Sequence, residues 1–426
     1  MPEFLRLSPP TEALQTLLGA LPDREPAGET IGTSNALGRV LTADVRAPHP
    51  LPEFPRSTMD GYAVRAQDTF GVSESQPSYL TLIGEVPMGD APSFTLTPGR
   101  CAFIHTGGML PGGADAVMML EYAQNIRKGG QLPALAEIEI SRSVAEGENV
   151  ILIGEDVAAA QVVLAAGIRL RPAEIGGCMA LGIVELRVAI KPRIGIISSG
   201  DEVVSPGKKP RPGQVRDVNS YSLAALVEEA GGEPVLYGII PDNLGAIKAA
   251  AARALAGCDA VVITAGSSVS VRDTTAEAIA SLGAPGVLVH GVNVRPGKPT
   301  ILAVCDGKAV IGLPGNPVSA LVIAGLFVVP VVEKLLGLKV ARLQPSVLVK
   351  LTVNISSQAG REDWVAVKLS VNGKWEMGNG EARYLAEPVF GKSNLIFSLA
   401  AADGMVRISP EATGLSAGEM VEAVLI

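Results

Sequence analysis

Five loops of this 426-residue chain carry side chains suited to an anionic ligand and a hard cation. RIGIISSG (193–200) runs into Gly200-Asp201-Glu202, PVLYGII (234–240) into Pro241-Asp242-Asn243, and CDAVVITAG (258–266) into a loop ending at Asp273. GVLVHGV (286–292) leads to VRPGKP with Arg295 and Lys298, and a further run ends in GLPGNP (312–317). Carboxylates donate oxygens to Mg2+, which proteins commonly share with substrate phosphates. Arg295 and Lys298 would neutralise oxyanions, and glycines at 266, 297 and 315 let backbone N–H groups approach them. Taken singly, each loop has an ordinary reading: a Gly-Asp-Glu strand exit, Asp242 or Asp273 as a helix cap, RPGKP as a rigid turn. Asn316 likewise suits the cap of a helix with Pro317 in its first turn. It is convergence on one rim that points to a site. No GxxxxGK[ST] and no GxGxxG after a strand is present, so neither a P-loop NTPase nor a dinucleotide dehydrogenase is supported.

The convergence depends on the elements behind the loops. The four runs are near-continuous apolar stretches of strand length, and helix-length segments such as SYSLAALVEEAGG and LGAIKAAAARALAG alternate with them. That pattern predicts a mostly parallel sheet covered on both faces, with ligands beyond the carboxyl ends of the strands. TILAVCDGKAVIGLPG predicts a hairpin turning at Asp306-Gly307, followed by a helix from Pro317. Upstream, EALQTLLG (12–19) has helical periodicity, and from about residue 50 the chain changes to short β-like runs with Pro/Gly turns. Four regions result: an elongated first domain from 1–49 and 146–176, a β-rich insertion at 50–145, an α/β unit at 177–340, and a small β domain at 341–426. Three polar spots lie outside the α/β unit. Ser57 to Ala63 contains Asp60 in an Asp-Gly turn, His105-Thr106-Gly107-Gly108 ends a strand, and Gly154-Glu155-Asp156 follows an apolar run. Thr106 suits an oxyanion, whereas His105, with no partner evident, reads as structural.

Composition narrows the class further. Thirty-five basic against 43 acidic side chains leave a formal charge of −8, which argues against non-specific nucleic-acid binding; 4% aromatics are too few for a base-stacking surface. The four scattered cysteines indicate neither a disulfide framework nor a zinc site, and read as small buried hydrophobes. MPEFLRLSPP lacks a basic stretch followed by an apolar one, so no secretion signal and a cytoplasmic location are expected. SALVIAGLFVVPVVEKLLGL (319–338) is broken by Pro330 and carries Glu333 and Lys334, so it reads as a buried helix, with no membrane partner.

In this order, STMDGYAV (57–64), HTGGMLPGGADAVMMLE (105–121), GEDV (154–157), SSGDEV (198–203), VRDVNSY (215–221), PDN (241–243), RPGKP (295–299) and GLPGNPVSA (312–320) resemble the MoeA family of molybdopterin molybdenumtransferases, to which the gephyrin E domain also belongs. The resemblance covers nearly the whole chain. It implies the last step of molybdenum cofactor synthesis: Mg2+-dependent insertion of molybdate into adenylylated molybdopterin, with release of AMP. It further implies an elongated homodimer, a molybdopterin-binding third domain, a β-barrel fourth domain, and a site between the third domain of one subunit and the second of the other. The adenylyltransferase of the same pathway is an implied partner.

Carried over by motif, Asp60, Asp156, Glu202, Asp242 and Asp273 resemble the family's functional carboxylates, with Asp273 and then Asp242 as the Mg2+ ligands. Arg295, Lys298, Ser319, Arg361 and Ser393 would form the molybdate and phosphate region. Thr106, Gly200, Asp201, Gly315 and Asn316 would cradle the pterin nucleotide. Ile151, Leu152 and Ile153 stand where the family usually has basic residues before GED. That departure keeps a non-catalytic scaffold of the same fold in view, and a tungstate-preferring member is a third reading.

Overall fold

Strand-length apolar runs whose neighbours on both sides are amphipathic helices have one stable solution, a sheet buried on both faces. The computed structural model describes residues 7–126, 136–265, 269–340, 344–373 and 382–426, with the backbone alone at 269–273. In the α/β unit we number the strands β1 (Arg193–Ser199), β2 (Glu233–Ile240), β3 (Ala260–Ala265), β4 (Pro285–His290), β5 (Ile301–Cys305) and β6 (Lys308–Pro314). They form one sheet in the order β2-β1-β3-β6-β5-β4. The first four are parallel; β5 alone runs antiparallel, between β6 and the edge strand β4, which points the same way as the first four. The expected hairpin joins β5 to β6, with Asp306 (φ 50°) and Gly307 (φ 79°) both left-handed, as a two-residue turn of this kind requires.

Alternation along each strand divides the core. Ile194, Ile196, Val262, Leu302 and Val304 face one apolar cluster, and Ile197, Val261, Ile263, Ile301 and Ala303 face the other. Helix α1 (Asn219–Ala230) and the long Pro317–Leu335 helix cover the first face; α2 (Leu244–Gly257) and α3 (Val269–Ala280) cover the second. Gly231, left-handed at φ 98°, ends α1 where the paired glycines predict a stop. Pro317–Leu335 is long and apolar enough to cross a membrane and half of it is buried here, with Ile323, Phe327 and Val332 in the core. It holds a π turn at Ala324–Val328 just before Pro330, whose ring and missing N–H disrupt an ordinary α turn.

The other units differ from the expected boundaries. Gly28–Gly32 pairs with Glu185–Ala189, Val45–Arg46 with Val162–Leu164, and Arg56–Ser57 with Val150–Ile151. The outgoing and returning chain therefore form a ribbon that extends to residue 189. The boundary expected at 176 falls inside the helix Pro172–Ala180. Helix Pro10–Ala20 does not belong to the ribbon: Ala13, Leu17 and Leu21 join the core cluster of the α/β unit, and Ser8 bridges to Val292. Its apolar stripe satisfies either location, and only packing chooses.

Between the ribbon's arms lies a six-stranded sheet, with Gly61–Val64 between Arg100–Ile104 and Ala116–Met119. The C-terminal unit closes into a five-stranded barrel, since Glu362–Val371 pairs with both Tyr384–Pro388 and Gly404–Ile408. All four cysteines are buried, and burial pushes the Cys101 thiol up to about 12 and Cys305 to about 11, as inert packing residues.

Candidate active site

Strand order dictates where the loops go. The chain leaves β1 for β2 on one side and returns to β3 on the other, so a crevice opens beyond the carboxyl ends of β1 and β3. At the β1 exit the Ser199 hydroxyl donates to Asp242 Oδ1 (2.8 Å), and the Asp242 N–H donates to Asp201 Oδ1 (3.2 Å). Asp242 does not cap the helix that follows. Asn243 does, its side-chain oxygen accepting from Ala246 N (2.8 Å), which leaves the Asp242 carboxylate at the rim. Gly200 (φ 155°) lies under the Glu202 side chain, and a Cβ there would fall 2.6 Å from Val203 Cγ2.

Asn316 also departs from its expected capping role. Its Nδ2 donates to Ser393 Oγ (2.9 Å), and the Ser393 carbonyl accepts from Val318 N (3.1 Å). Ser319 is buried one residue further along that helix. Across the crevice, Asn219 at the start of α1 donates to the Gly315 carbonyl (2.8 Å). Sequence reasoning passed over Asn219 as a site residue, although VRDVNSY contains it.

The RPGKP loop sits at the same rim because β5 runs antiparallel to β6, bringing its start beside the β6 exit. Gly297 is obligatory there: at φ 119° a Cβ would lie 2.3 Å from Ile323. Val294–Arg295 then pairs in parallel with Glu362–Asp363, so the α/β unit and the barrel share a strand edge. Through it Arg361 reaches Arg295. Asp363, only 3% exposed, accepts from Arg361 Nε (2.6 Å) and Nη2 (3.0 Å), and Arg295 Nη1 lies 3.7 Å from its Oδ2. Lys298 is exposed and makes no ion pair among the described residues. Asp363 was missed by sequence reasoning. The signal available was an adjacent acidic pair, Glu362-Asp363, directly before the apolar run WVAV (364–367).

One expectation needs correcting. Acids and cations converge on a rim but are not intermingled. Four strand positions separate β2 from β5, roughly 19 Å at about 4.8 Å each. Asp201, Glu202 and Asp242 stand towards one end, and Arg295, Lys298 and Arg361 towards the other. The Asp273 side chain lies outside the described residues, and no group of three His, Cys, Asp or Glu is placed to hold a metal among those described. Asp201 and Asp242 are nonetheless hard oxygen donors at one strand exit, which is the donor chemistry Mg2+ requires.

A second group of predicted residues assembles at the far end of the ribbon. Asp60 Oδ1 accepts from the Thr106 N–H (2.7 Å) and hydroxyl (3.1 Å). His105 has partners after all. Its Nε2 lies 3.1 Å from Glu85 and its Nδ1 3.8 Å from Asp60, with the ring edge-on to Phe103. The Asp156 loop adjoins, because Arg56–Ser57 pairs with Val150–Ile151 and Asp156 N donates to the Leu51 carbonyl. Leu152 and Ile153 are each 56% exposed beside it. Among the described residues no hydrogen bond or ion pair joins this group to the rim within the chain.

The Thr106 bonds, the backbone one first, hold the Asp60 carboxyl below its ordinary value. A depressed folded value means that the contribution of these bonds is present above the ordinary carboxylate range and fades as pH falls through the folded value. Thr106→Val, which keeps the N–H and removes the hydroxyl, is expected to move Asp60 back towards ~3.9. A carbon-detected NMR titration of the carboxyl checks this, and an Asp60 that titrates at the ordinary value in the unaltered protein would contradict it.

Comparison with known proteins agrees with this architecture unit by unit. A family model described as MoeA N-terminal region (domain I and II) matches residues 8–182, one described as a probable molybdopterin binding domain matches 195–334, and the MoeA C-terminal region (domain IV) matches 349–426. The chain belongs to the MoeA family. Within it, a molybdopterin molybdenumtransferase of a Nostoc species is 35% identical over 346 residues, covering 80% of this chain and 77% of that protein. Molybdopterin molybdenumtransferase 2 of Mycobacterium tuberculosis is 34% identical, covering 79% and 82%. The crystal structure of the molybdopterin biosynthesis MoeA protein of Pyrococcus horikoshii OT3 superposes with a TM-score of 0.82 at 32% identity, covering 99% of this chain and all of that one. In the family's terms the ribbon and inserted sheet are domains I and II, the α/β unit is domain III, and the barrel is domain IV.

Proposed function

We propose that this MoeA family member catalyses insertion of molybdate into adenylylated molybdopterin with release of AMP, using Mg2+. The observation that carries the reading is the distribution of charge along one rim: acids beside the β1 exit, and three cations at the seam of domains III and IV. Arg295, Lys298 and Arg361 grip a tetrahedral dianion, the two arginines offering planar forks and Lys298 a mobile point charge. Asn316 and Ser393 close the seam beside them and add neutral polar groups. Gly200 lets the Glu202 and Val203 side chains fold back over the β1 exit, which sets Asp201 and Glu202 at the edge of the nucleotide's crevice. Asp242 and Asp273 would hold Mg2+, which, when bound, offsets the charge of the pyrophosphate link. Ser199 orients the Asp242 carboxylate towards the crevice.

Asp60, Thr106 and Asp156 complete the site from a second copy of the chain. Support for this comes from their distance from the rim in their own chain and from the exposed Leu152 and Ile153 beside them, which suit burial against another protomer.

The direct test supplies the purified protein with adenylylated molybdopterin, Mg2+ and either molybdate or tungstate, and follows AMP. Release that depends on Mg2+ and is faster with molybdate is the expected result. Absence of AMP with either oxyanion would overturn the catalytic reading in favour of a scaffold.

A further inference from the structure

Asp363 is the carboxylate that both Arg295 and Arg361 face at the cationic end of the rim, and it is almost fully buried. A buried carboxylate is tolerated only with charged partners and satisfied hydrogen bonds. Here both oxygens are engaged. Arg361 takes them in a bidentate fork, and Arg295 approaches the second at 3.7 Å while its own side chain stays 65% exposed. The register Arg295↔Asp363 is set by backbone pairing across the domain seam, so the contact does not rest on flexible side chains alone. The neighbouring acid does not compete. Glu362 is committed elsewhere, to Arg407 (2.7 Å) and to the Trp364 indole N–H (2.8 Å).

We propose that Asp363 is a positioning residue for the oxyanion substrate: it pins the guanidiniums of Arg361 and Arg295 from beneath, so that their outward N–H groups meet a tetrahedral dianion in a prepared arrangement. Three cations less one carboxylate also leave two positive charges, matching a dianion. The inference rests on the oxyanion reading given above and deepens it.

The two effects of Asp363 can be set against each other. Asp363→Asn preserves shape but removes the charge and the fork. By Coulomb attraction alone the more positive pocket would bind molybdate more tightly. If positioning dominates, binding weakens. The expected result is a molybdate KM raised about tenfold, a kcat within about threefold of the unaltered enzyme, and an unchanged KM for adenylylated molybdopterin. Arg361→Lys keeps the charge, loses the fork and leaves the buried carboxylate in place, so it provides the same test should the first variant fold poorly. A kcat loss with both KM values unchanged would mark Asp363 as merely structural, and tighter or unaltered molybdate binding would likewise overturn the role. Calorimetric titration with molybdate alone separates this inference from the catalytic reading. An unaltered chain that binds molybdate but releases no AMP overturns catalysis, and a weakened Kd in Asp363→Asn then still supports positioning. A chain that neither binds molybdate nor releases AMP overturns both.

Discussion

Lys298→Ala is expected to lower kcat/KM for molybdate by about two orders of magnitude while leaving the thermal unfolding midpoint unchanged. The reason lies in how differently the three cations are held. Arg295 and Arg361 are tied to a buried carboxylate, so truncating either one leaves Asp363 short of a partner and mixes stability with chemistry. Lys298 is exposed and has no ion pair among the described residues, so the folded chain loses little with its ammonium. With substrate bound and water excluded, a charge-assisted contact to an oxyanion is worth about 3 kcal/mol, a factor of about a hundred. Lys298→Arg retains the charge and is expected to recover part of the loss. The measurement is AMP release at varied molybdate beside differential scanning calorimetry. A variant that keeps full activity, or that loses activity only as it loses stability, would remove Lys298 from the site.

The second large effect concerns the two separated groups of site residues. If Asp60 acts on the rim of a partner subunit, Asp60→Ala and Lys298→Ala homodimers are each nearly inactive. A heterodimer of the two, purified through separate tags, then contains one doubly altered site and one intact site. It is expected to show about half the activity of the unaltered dimer, a gain of about fiftyfold over either parent. A heterodimer as inactive as its parents would mean that the second group has no role in a shared site. The same preparation settles assembly, because sedimentation must find a dimer for the experiment to be possible.

Much of the site was legible as loops, and much less as contacts. The five rim loops were readable because a parallel sheet sends every strand's carboxyl end to one side, so residues after strands must converge. Which Asp or Asn does what was not. Asp242 and Asn243 are adjacent, both are good capping residues, and only the backbone geometry gives the cap to Asn243 and the rim to Asp242. Asn316 sits at a cap position and spends its side chain on Ser393 instead, a residue 77 positions away. Glu85 and His105 are 20 residues apart, and no local pattern pairs them.

Local chemistry was therefore enough for the parts whose causes are local. Apolar strand runs, the left-handed turn at Asp306-Gly307, the stop at Gly231 and the motifs of the rim all follow from neighbours along the chain. Tertiary structure alone decided that Pro10–Ala20 packs on the α/β sheet, that acids and cations occupy opposite ends of the rim, and that a buried Asp363 joins two guanidiniums across a domain seam. Those outcomes depend on burial, strand order and contacts between distant segments, and a periodic pattern that says which face is apolar does not say what will cover it.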